Sequence, residues 1–286
     1  MAAPRPLPQP QRTTARNLKP VNIILFAPEE FSAAHAAYAH AADAHAHAAL
    51  VLPRADARAA HILDVLRRQP GDTFDAGLID GPRGKATLAA ILPAAPNAPA
   101  DGSLSLTFSW DKTEPPPLPP ITLIIGLPRP QTARKILNEA TSLGVSAMHF
   151  VTTERGEPSY AQSTLWTTGE YRRHLIAGAA QAFCTRIPRV TFGKPLDETI
   201  AAFNAPHRIA LDNYESPNAL GEHLQSVMRG APLILALGPE RGWTSTERAR
   251  LRAANFAFAH LGARVLRTET AVTAALALAL ARMERM

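Results

Sequence analysis

Two glycine-bearing turns near the carboxyl terminus carry the residue types best suited to hold a ligand. The first, Gly-Pro-Glu at 238–240, follows the apolar run 233–237, and the second, Leu261-Gly262, leads into an Ala/Leu-rich helix. Ligands of open α/β sheets bind where strands end, and glycine lets the backbone approach a ligand closely. The pair of turns therefore predicts a ligand-binding site at the ends of two buried strands.

Charged side chains are concentrated beside the second turn. Arg264, Arg267 and Glu269 lie within six residues of otherwise largely apolar chain. A carboxylate placed there can accept a proton, and a guanidinium can stabilise developing negative charge. Thr268 is also a good helix N-cap with Glu269 in the first turn, so helix capping or a structural ion pair is the alternative for these residues.

Several other kinds of site are excluded because the sequence lacks their motifs. No G-x-G-x-x-G follows a strand, Gly84-Lys85 lacks the rest of a P-loop, and G-x-S-x-G does not occur. Histidines at 35, 40, 45 and 47 invite a metal interpretation. Steps of five residues, however, rotate side chains by about 140° around a helix, so these imidazoles diverge. We expect no metal site.

Composition sets the class of protein. The chain has 286 residues, 46% of them hydrophobic, and 30 Lys plus Arg against 24 Asp plus Glu give a net charge of +6. A basic balance moderately favours a polyanionic partner such as RNA. One cysteine, Cys184, excludes an intrachain disulfide and suits a reducing compartment. No apolar stretch is long enough to span a bilayer, so we expect a soluble cytoplasmic protein without a membrane partner.

The distribution of residue types along the chain predicts an α/β protein in two parts. Residues 1–20 are a basic, Pro-rich leader expected to be disordered, and 21–110 form a small, mainly β domain. Five prolines within 111–120 predict a stiff linker. In 121–286 strands and helices alternate, which predicts a mostly parallel sheet covered by helices on both faces.

Local patterns place the elements. In the first part we expect a strand from Val21, a helix-prone segment at 33–50, an amphipathic helix at 56–68 with an apolar stripe of Ile62, Leu63, Val65 and Leu66, and strands at 73–79, 85–91 and 104–110. In the second part we expect strands at 121–126, 146–151, 208–211 and 233–237, a short segment near 188–192, and helices at 131–143, 166–183, 218–228, 244–254 and 268–285.

The two carboxy-terminal turns resemble a known family. Leu-Gly-Pro-Glu at 237–240 with Gly242, and the run Leu-Gly-x-Arg-Val-Leu-Arg-Thr-Glu-Thr at 261–270, are similar to motifs of the RsmE family of the SPOUT superfamily. The resemblance extends from about Asn22 to the end. His-Ile-Leu-x-Val-Leu-Arg at 61–67 with Gly71-Asp72, and matches at 140–145, 153–155, Gln181 and 187–188, carry the rest of it.

The resemblance implies an activity and an architecture. RsmE enzymes transfer a methyl group from S-adenosylmethionine to N3 of a uridine in 16S ribosomal RNA of the small (30S) subunit. It further implies a trefoil-knotted SPOUT methyltransferase domain, a small amino-terminal PUA-like, β-rich, RNA-binding domain, and a homodimer whose interface completes each active site.

The resemblance also assigns residues. It places the cofactor S-adenosylmethionine against Leu237, Gly238, Pro239, Glu240, Gly242, Leu261, Gly262, Leu266, Arg267 and Thr268. Uracil N3 is a poor nucleophile until its proton leaves, so Glu269 is the candidate base or base-orienter and Arg267 the candidate to stabilise charge on the uracil carbonyls. The expected RNA-binding residues are His61, Arg67, Arg68, Arg155 and Arg241.

The chain departs from the family pattern at several positions. Arg241 stands where the family usually has a glycine; Asn138, Glu139 and Ser142 replace Gln, Lys and Glu; and Ala180 and Cys184 replace Glu and Arg. Cofactor binding is therefore expected to be retained and RNA contacts to be remodelled. Three alternatives remain open: a divergent SPOUT methyltransferase acting on another RNA site, a non-catalytic RNA-binding or ribosome assembly factor, and, more remotely, a Rossmann-type methyltransferase.

Overall fold

The amino-terminal part is built on an antiparallel sheet with one parallel strand pair. The structure, a computed structural model, describes residues 22–31, 48–93, 102–203 and 205–284. A five-stranded sheet, here the first sheet, has the order β1-β3-β4-β5-β2. Its strands are β1 Ile24–Phe26, β2 Ala48–Pro53, β3 Thr73–Leu78, β4 Arg83–Leu92 and β5 Ser103–Trp110.

Aromatic rings fill the core of the first sheet. In β5 the buried residues Leu104, Leu106 and Phe108 alternate with more exposed ones, as expected for a strand with one covered face. Phe26 and Phe31 contact the Phe108 ring edge-on, with centroids 4.9 and 5.2 Å away. This arrangement explains why the polar-apolar alternation at 104–110 predicted the strand correctly.

The predicted helix at 56–68 is shorter and less regular than expected. Helix α1, Ala57–Ala60, is capped by Asp56, whose carboxylate accepts from the Arg58 N–H at 2.8 Å. It continues as a π-helical turn, His61–Val65. The wider turn rotates the following side chains, so Ile62 is buried but Val65 is 65% exposed. The predicted apolar stripe was therefore wrong at Val65.

The carboxy-terminal part contains the second sheet, which is parallel throughout. Its seven strands have the order β10-β12-β9-β11-β6-β7-β8. The strands are β6 Ile121–Gly126, β7 Ala147–Thr152, β8 Arg189–Pro195, β9 His207–Leu211, β10 Asn218–Ala219, β11 Leu233–Leu237 and β12 Ala257–His260. Because the strands are parallel, their carboxyl ends all lie at one edge.

Helices cover both faces of the second sheet. They are α2 Pro130–Leu143, α3 Thr164–Thr167, α4 Tyr171–Gln181, α5 Leu196–Ala202, α6 Leu220–Leu224, α7 Ser245–Ala253 and α8 Thr268–Arg282. Helices α2, α4, α6 and α8 contribute to the core on one face, and α5 and α7 to the core on the other. The expectation of an α/β fold with a parallel sheet is confirmed.

Three predicted helices differ from the structure. The predicted helix at 166–183 is interrupted at Gly169, whose φ of +75° ends α3 before α4 begins. The predicted helix at 218–228 is reduced to α6, because residues 218–219 pair with β12 instead. Residues 48–50 of the helix-prone segment belong to β2, while 33–47 and the leader 1–20 lie outside the described residues.

The two sheets meet through hydrogen bonds and a small apolar cluster. The hydroxyl of Thr185 donates to the carbonyl of Gly81 at 2.6 Å, and the Asp80 N–H donates to the Thr185 carbonyl at 2.8 Å. Ile23 and Leu25 pack with Ala179 of α4 in the same cluster. These contacts join the turn after β3 to the segment that follows α4.

Candidate functional site

A cleft lies at the carboxyl ends of β9, β11 and β12, where the two glycine turns were predicted to form a site. We call it the strand-end cleft. All five residues of β11 are buried, so the chain leaves the sheet from a fixed position. The cleft is lined by Leu211, Asp212, Asn213, Tyr214, Leu237, Gly238, Pro239, Glu240, Arg241, Gly242, Trp243, Leu261, Arg264, Val265, Leu266, Thr268 and Ala271.

The first turn is held by close backbone packing. The Gly242 N–H donates to the Pro239 carbonyl at 2.8 Å, and Gly242 has a φ of +66°. Gly126, at the end of β6, lies directly beneath: a Cβ on it would come within 2.5 Å of the Pro239 nitrogen. The position of the Gly-Pro-Glu turn therefore depends on a glycine more than a hundred residues earlier in the chain.

The second turn contributes apolar side chains, one hydroxyl residue and the predicted charged residue Arg264. Leu261, Leu266 and Thr268 line the strand-end cleft. Gly262 has a φ of +105° and its N–H donates to Nδ1 of His260 at 3.0 Å, but Gly262 lies outside the cleft lining, as does Arg267. Eight of the ten predicted cofactor-binding residues thus converge on one cleft, and the roles of all ten stay predictions.

A loop after β9 forms a wall of the cleft that the sequence did not reveal. Asp212 is 6% exposed; its carboxylate accepts from the N–H groups of Tyr214 and Glu215, both at 2.7 Å, and from Nε of Arg248 at 2.8 Å. The Arg248 guanidinium also lies over the Tyr214 ring. The loop is therefore shaped by a buried ion pair whose partners are 36 residues apart.

Glu269 faces helix α2 rather than the strand-end cleft. Its carboxylate accepts from Nζ of Lys135 at 3.2 Å. Burial opposes ionisation of Glu269, but hydrogen bonds from its own backbone N–H and from Lys135 outweigh burial and hold its pKa below the usual range. Glu269 is therefore ionised at neutral pH and paired with a lysine that the sequence had not singled out.

A second cleft adjoins the first, and we call it the arginine cleft. It is lined by Arg129, Arg155, Gly156, Glu157, Tyr160, Glu240 and Arg241. Nη1 of Arg155 donates to the Arg241 carbonyl at 3.1 Å, and the Arg129 N–H donates to Oε1 of Glu240 at 3.2 Å. The structure brings together the predicted RNA-binding residues Arg155 and Arg241, adds Arg129, and shares Glu240 and Arg241 with the strand-end cleft.

The other predicted RNA-binding residues are carried by a different element. His61 belongs to the π-helical turn, and Arg67 and Arg68 follow it, beside the first sheet. Arg67 has a φ of +53°, and Nε of Arg68 is buried without a hydrogen-bond partner among the described residues. None of the three lines the strand-end or arginine cleft.

The departures from the family pattern have structural partners. Glu139 accepts from the Thr273 hydroxyl of α8 at 2.9 Å, and the Ser142 hydroxyl donates to the Gly178 carbonyl of α4 at 3.0 Å. The Ala180 carbonyl accepts from the Ile23 N–H, and Cys184 is half-buried. These four positions and Asn138 lie outside both clefts, whereas Arg241 lies in both, so Arg241 is the departure that bears directly on ligand contacts.

The described residues form neither a metal-binding cluster nor a membrane-spanning helix. Within 22–31, 48–93, 102–203 and 205–284 there is no group of three or more His, Cys, Asp or Glu side chains that could hold a metal ion. Over the same part of the chain, no helix has both the length and the apolar character needed to cross a membrane. The strand-end cleft and the arginine cleft are where the structure brings predicted site residues together.

Comparison with known proteins places the chain in a family. A family model described as an RNA methyltransferase domain matches residues 114–280. "Ribosomal RNA small subunit methyltransferase E" of Treponema pallidum is 34% identical over 268 residues, covering 91% of each chain, and the protein of that name from Synechocystis is 31% identical over 77% of this chain and 70% of its own. A ribosomal RNA small subunit methyltransferase E from Neisseria gonorrhoeae, whose crystal structure contains S-adenosyl methionine, has a similar fold. The two structures superpose with a TM-score of 0.66 and 22% sequence identity, over 91% of this chain and 97% of that one. The family model and the 34% identity to the Treponema protein show that the chain belongs to the RNA methyltransferase family and, within it, to the ribosomal RNA small subunit methyltransferases E.

Proposed function

We propose that this protein transfers a methyl group from S-adenosylmethionine to N3 of a uridine in 16S rRNA of the small ribosomal subunit. One observation carries the proposal. In a chain 34% identical to a ribosomal RNA small subunit methyltransferase E over 91% of its length, the family's two glycine turns converge on a single cleft. The structure of the Neisseria relative was solved with S-adenosyl methionine bound, which supports the same cofactor here.

The strand-end cleft suits this cofactor chemically. Leu237, Leu261 and Leu266 offer an apolar surface for an adenine ring, and the backbone of 238–242 offers donors and acceptors for the ribose and the amino acid moiety. Bound there, S-adenosylmethionine would supply an activated methyl group on a sulfonium sulfur. We assign the cofactor contacts to the ten residues predicted from the resemblance.

The reaction requires that the proton leave uracil N3. We assign Glu269 to accept this proton or to orient the group that does, and Arg267 to stabilise negative charge on the uracil carbonyls. The contact between Lys135 and Glu269 favours the orienting role, because a carboxylate with a lowered pKa is a weaker base. Because both side chains lie outside the cleft lining, we infer that they act at the cleft's border, where the RNA enters.

The RNA is proposed to lie across the arginine cleft. Arg155 and Arg241 would bind phosphate or the target nucleotide, and the shared residues 240–241 would bring that nucleotide next to the methyl donor. We further propose that residues 21–110 are a PUA-like domain in which His61, Arg67 and Arg68 position the RNA backbone. The segment 111–120 would link it to the methyltransferase domain, 121–286.

Two features support a homodimer that completes each active site. Val265 is 82% exposed and Tyr214 is 79% exposed, and both line the strand-end cleft. Large apolar side chains exposed at a binding site are typical of a surface that a partner covers. A trefoil knot and a cytoplasmic location complete the proposal; the knot rests on the resemblance to the family, and the location on the single cysteine, Cys184.

The proposal is tested by nucleoside mass mapping. We expect 16S rRNA from a strain lacking the gene to have lost one N3-methyluridine, and purified protein with S-adenosylmethionine to restore it on 30S particles from that strain. Restoration of a different methylated nucleotide would indicate another RNA site. If calorimetry detects no binding of S-adenosylmethionine, the protein is an RNA-binding or assembly factor and the proposal is wrong.

A further inference from the structure

A buried carboxylate links the two loops that border the clefts. Glu247, in the first turn of α7, is only 1% exposed. Its Oε1 accepts from the backbone N–H of Glu154 at 2.8 Å, and its Oε2 accepts from the backbone N–H of Thr244 at 2.8 Å. One carboxylate thus holds backbone groups that are ninety residues apart in sequence.

Further contacts connect the same two loops. The Thr244 hydroxyl donates to Oε2 of Glu154 at 2.6 Å, and the Arg250 guanidinium lies 3.6 Å from the other oxygen of that carboxylate. Arg155, the next residue, donates to the Arg241 carbonyl at 3.1 Å. Loop 153–156 is therefore attached to loop 238–244 at two points, residue 154 to residue 244 and residue 155 to residue 241.

Loop 153–156 borders the arginine cleft, and loop 238–244 borders both clefts. Residues 155 and 156 line the arginine cleft, and residues 238–243 line the strand-end cleft. A shift of either loop would change the distance between whatever the two clefts hold. In a methyl transfer that distance matters, because a misplacement of about 1 Å can cost on the order of 100-fold in rate.

We propose that Glu247 is a positioning residue that holds loop 153–156 against loop 238–244 and so aligns the RNA nucleotide with the methyl donor. The proposal rests on the function proposed above for the two clefts. It goes beyond the capping role expected of a glutamate at the third position of a helix. In the capping box of α7 the Glu247 carboxylate accepts only from the Thr244 N–H, and the Thr244 hydroxyl accepts from the Glu247 N–H. The bond from the Glu154 N–H comes from a distant part of the chain.

Glu247→Gln separates the two roles. Glutamine also serves in a capping box, so the start of α7 can remain intact. A glutamine amide, however, has one acceptor oxygen and one donor nitrogen, so it cannot accept from both N–H groups. The loops then lose one of their shared hydrogen bonds, and a buried N–H faces another donor.

The test compares Glu247→Gln with Glu198→Gln, which removes an exposed carboxylate of helix α5 that pairs with Lys194 of β8. Hydrogen exchange at the amides of Glu154 and Thr244 is measured first. We expect at least one of the two to exchange about tenfold faster or more in Glu247→Gln, with strand β11 unchanged and the control like the wild type. Unchanged exchange at both amides overturns the proposal whether or not the enzyme is active.

Steady-state kinetics then tests whether Glu247 aligns the RNA nucleotide with the methyl donor. We expect kcat/KM for 30S particles to fall about ten- to hundredfold in Glu247→Gln, while the Kd for S-adenosylmethionine changes by less than about twofold. A smaller loss of kcat/KM in Glu154→Ala supports the same conclusion and replaces Glu247→Gln should that variant not fold. This variant removes the contacts of the Glu154 carboxylate with the Thr244 hydroxyl and the Arg250 guanidinium, and it keeps the backbone N–H that Glu247 binds.

The two proposals fail differently. Wild-type kcat/KM in a correctly folded variant overturns the positioning role of Glu247 and leaves the proposed methyl transfer intact. Absence of methylation or cofactor binding in the wild type would instead overturn the function, while the exchange measurement would still report whether Glu247 holds the loops.

Discussion

The strand-end cleft and the arginine cleft share two residues but are built in opposite ways. The first is shaped by backbone that turns at the end of β11, a strand whose five residues are all buried. The second is shaped mainly by long side chains that lie on loops and at a helix terminus, among them Arg129, Arg155 and Arg241. One cleft therefore depends on the exact path of the chain and the other on charge.

This difference predicts different responses to mutation. A turn packed against backbone cannot accept an added atom without moving, so a change of one methyl group should have a large effect. Arginines that contact a polyanion contribute separately and are screened by salt, so the loss of one should have a modest, salt-dependent effect. Three experiments test this contrast, from the largest expected effect to the smallest.

The first is Gly126→Ala. The added Cβ would lie within 2.5 Å of the nitrogen and the Cδ of Pro239, so the Gly-Pro-Glu turn must shift. We expect binding of S-adenosylmethionine to weaken at least tenfold and methylation of 30S particles to fall on the order of 100-fold. Calorimetry and a methylation assay measure the two effects.

The matched control for that variant is Gly221→Ala. Gly221 lies in α6, and a Cβ there meets no atom within 4 Å, so binding and activity should be unchanged. If Gly126→Ala binds the cofactor as well as this control does, the cleft adapts to the added atom and the contrast with the arginine cleft is lost.

The second experiment removes charge from the arginine cleft. We expect Arg155→Ala and Arg241→Ala each to weaken binding of 16S rRNA about three- to tenfold. For a phosphate contact, the slope of log affinity against log salt should fall by about 0.7. The Kd for S-adenosylmethionine should change little, because the Gly-Pro-Glu turn keeps its packing on Gly126 and its Gly242–Pro239 hydrogen bond in both variants.

Arg172→Ala provides the control for the loss of one positive charge. Arg172 is exposed and lines neither cleft. A salt slope that falls equally in Arg172→Ala would mean that net charge, and not the arginine cleft, determines RNA affinity.

The third experiment changes the stability of the fold at a residue that lies outside both clefts. His149 is 3% exposed in β7, and burial, with smaller effects of Arg189 and Lys194, lowers its pKa to about 4. Its pKa is higher when the chain is unfolded, so the unfolded state binds more protons below about pH 6.5. The free energy of unfolding should therefore fall as the pH is lowered from about 6.5 to 4, by roughly 3 kcal/mol at most.

Urea unfolding at pH 7 and pH 5 measures that effect. His149→Phe should lose part of the pH dependence, because phenylalanine does not titrate. Since His149 lines neither cleft, the Kd for S-adenosylmethionine at neutral pH should stay the same in this variant. A changed Kd would show that the strand-end cleft responds to stability in general and would weaken the interpretation of Gly126→Ala.

Much of the site could be predicted because its signals are local. The Gly-Pro-Glu turn, the turn at Gly262 and the start of α8 are encoded by neighbouring residues. The apolar-polar alternation marked β5, and the continuous apolar run marked β11. The helix predicted at 166–183 failed for a local reason as well, since one glycine with positive φ interrupts it. Interruptions of this kind depend on a single residue and are weak signals in a periodic pattern.

What the sequence by itself determined is where this chain turns at the ends of its buried strands, which family it resembles, and thereby which chemistry to expect. Only the tertiary structure decided which side chains support those turns. Asp212 with Arg248, Glu247 with Glu154, and Arg129 with Glu240 are pairs 36, 93 and 111 residues apart. The physical reason is that a hydrogen bond between distant residues leaves no periodicity or spacing along the chain, and forms only once the parallel strands bring their carboxyl ends to one edge.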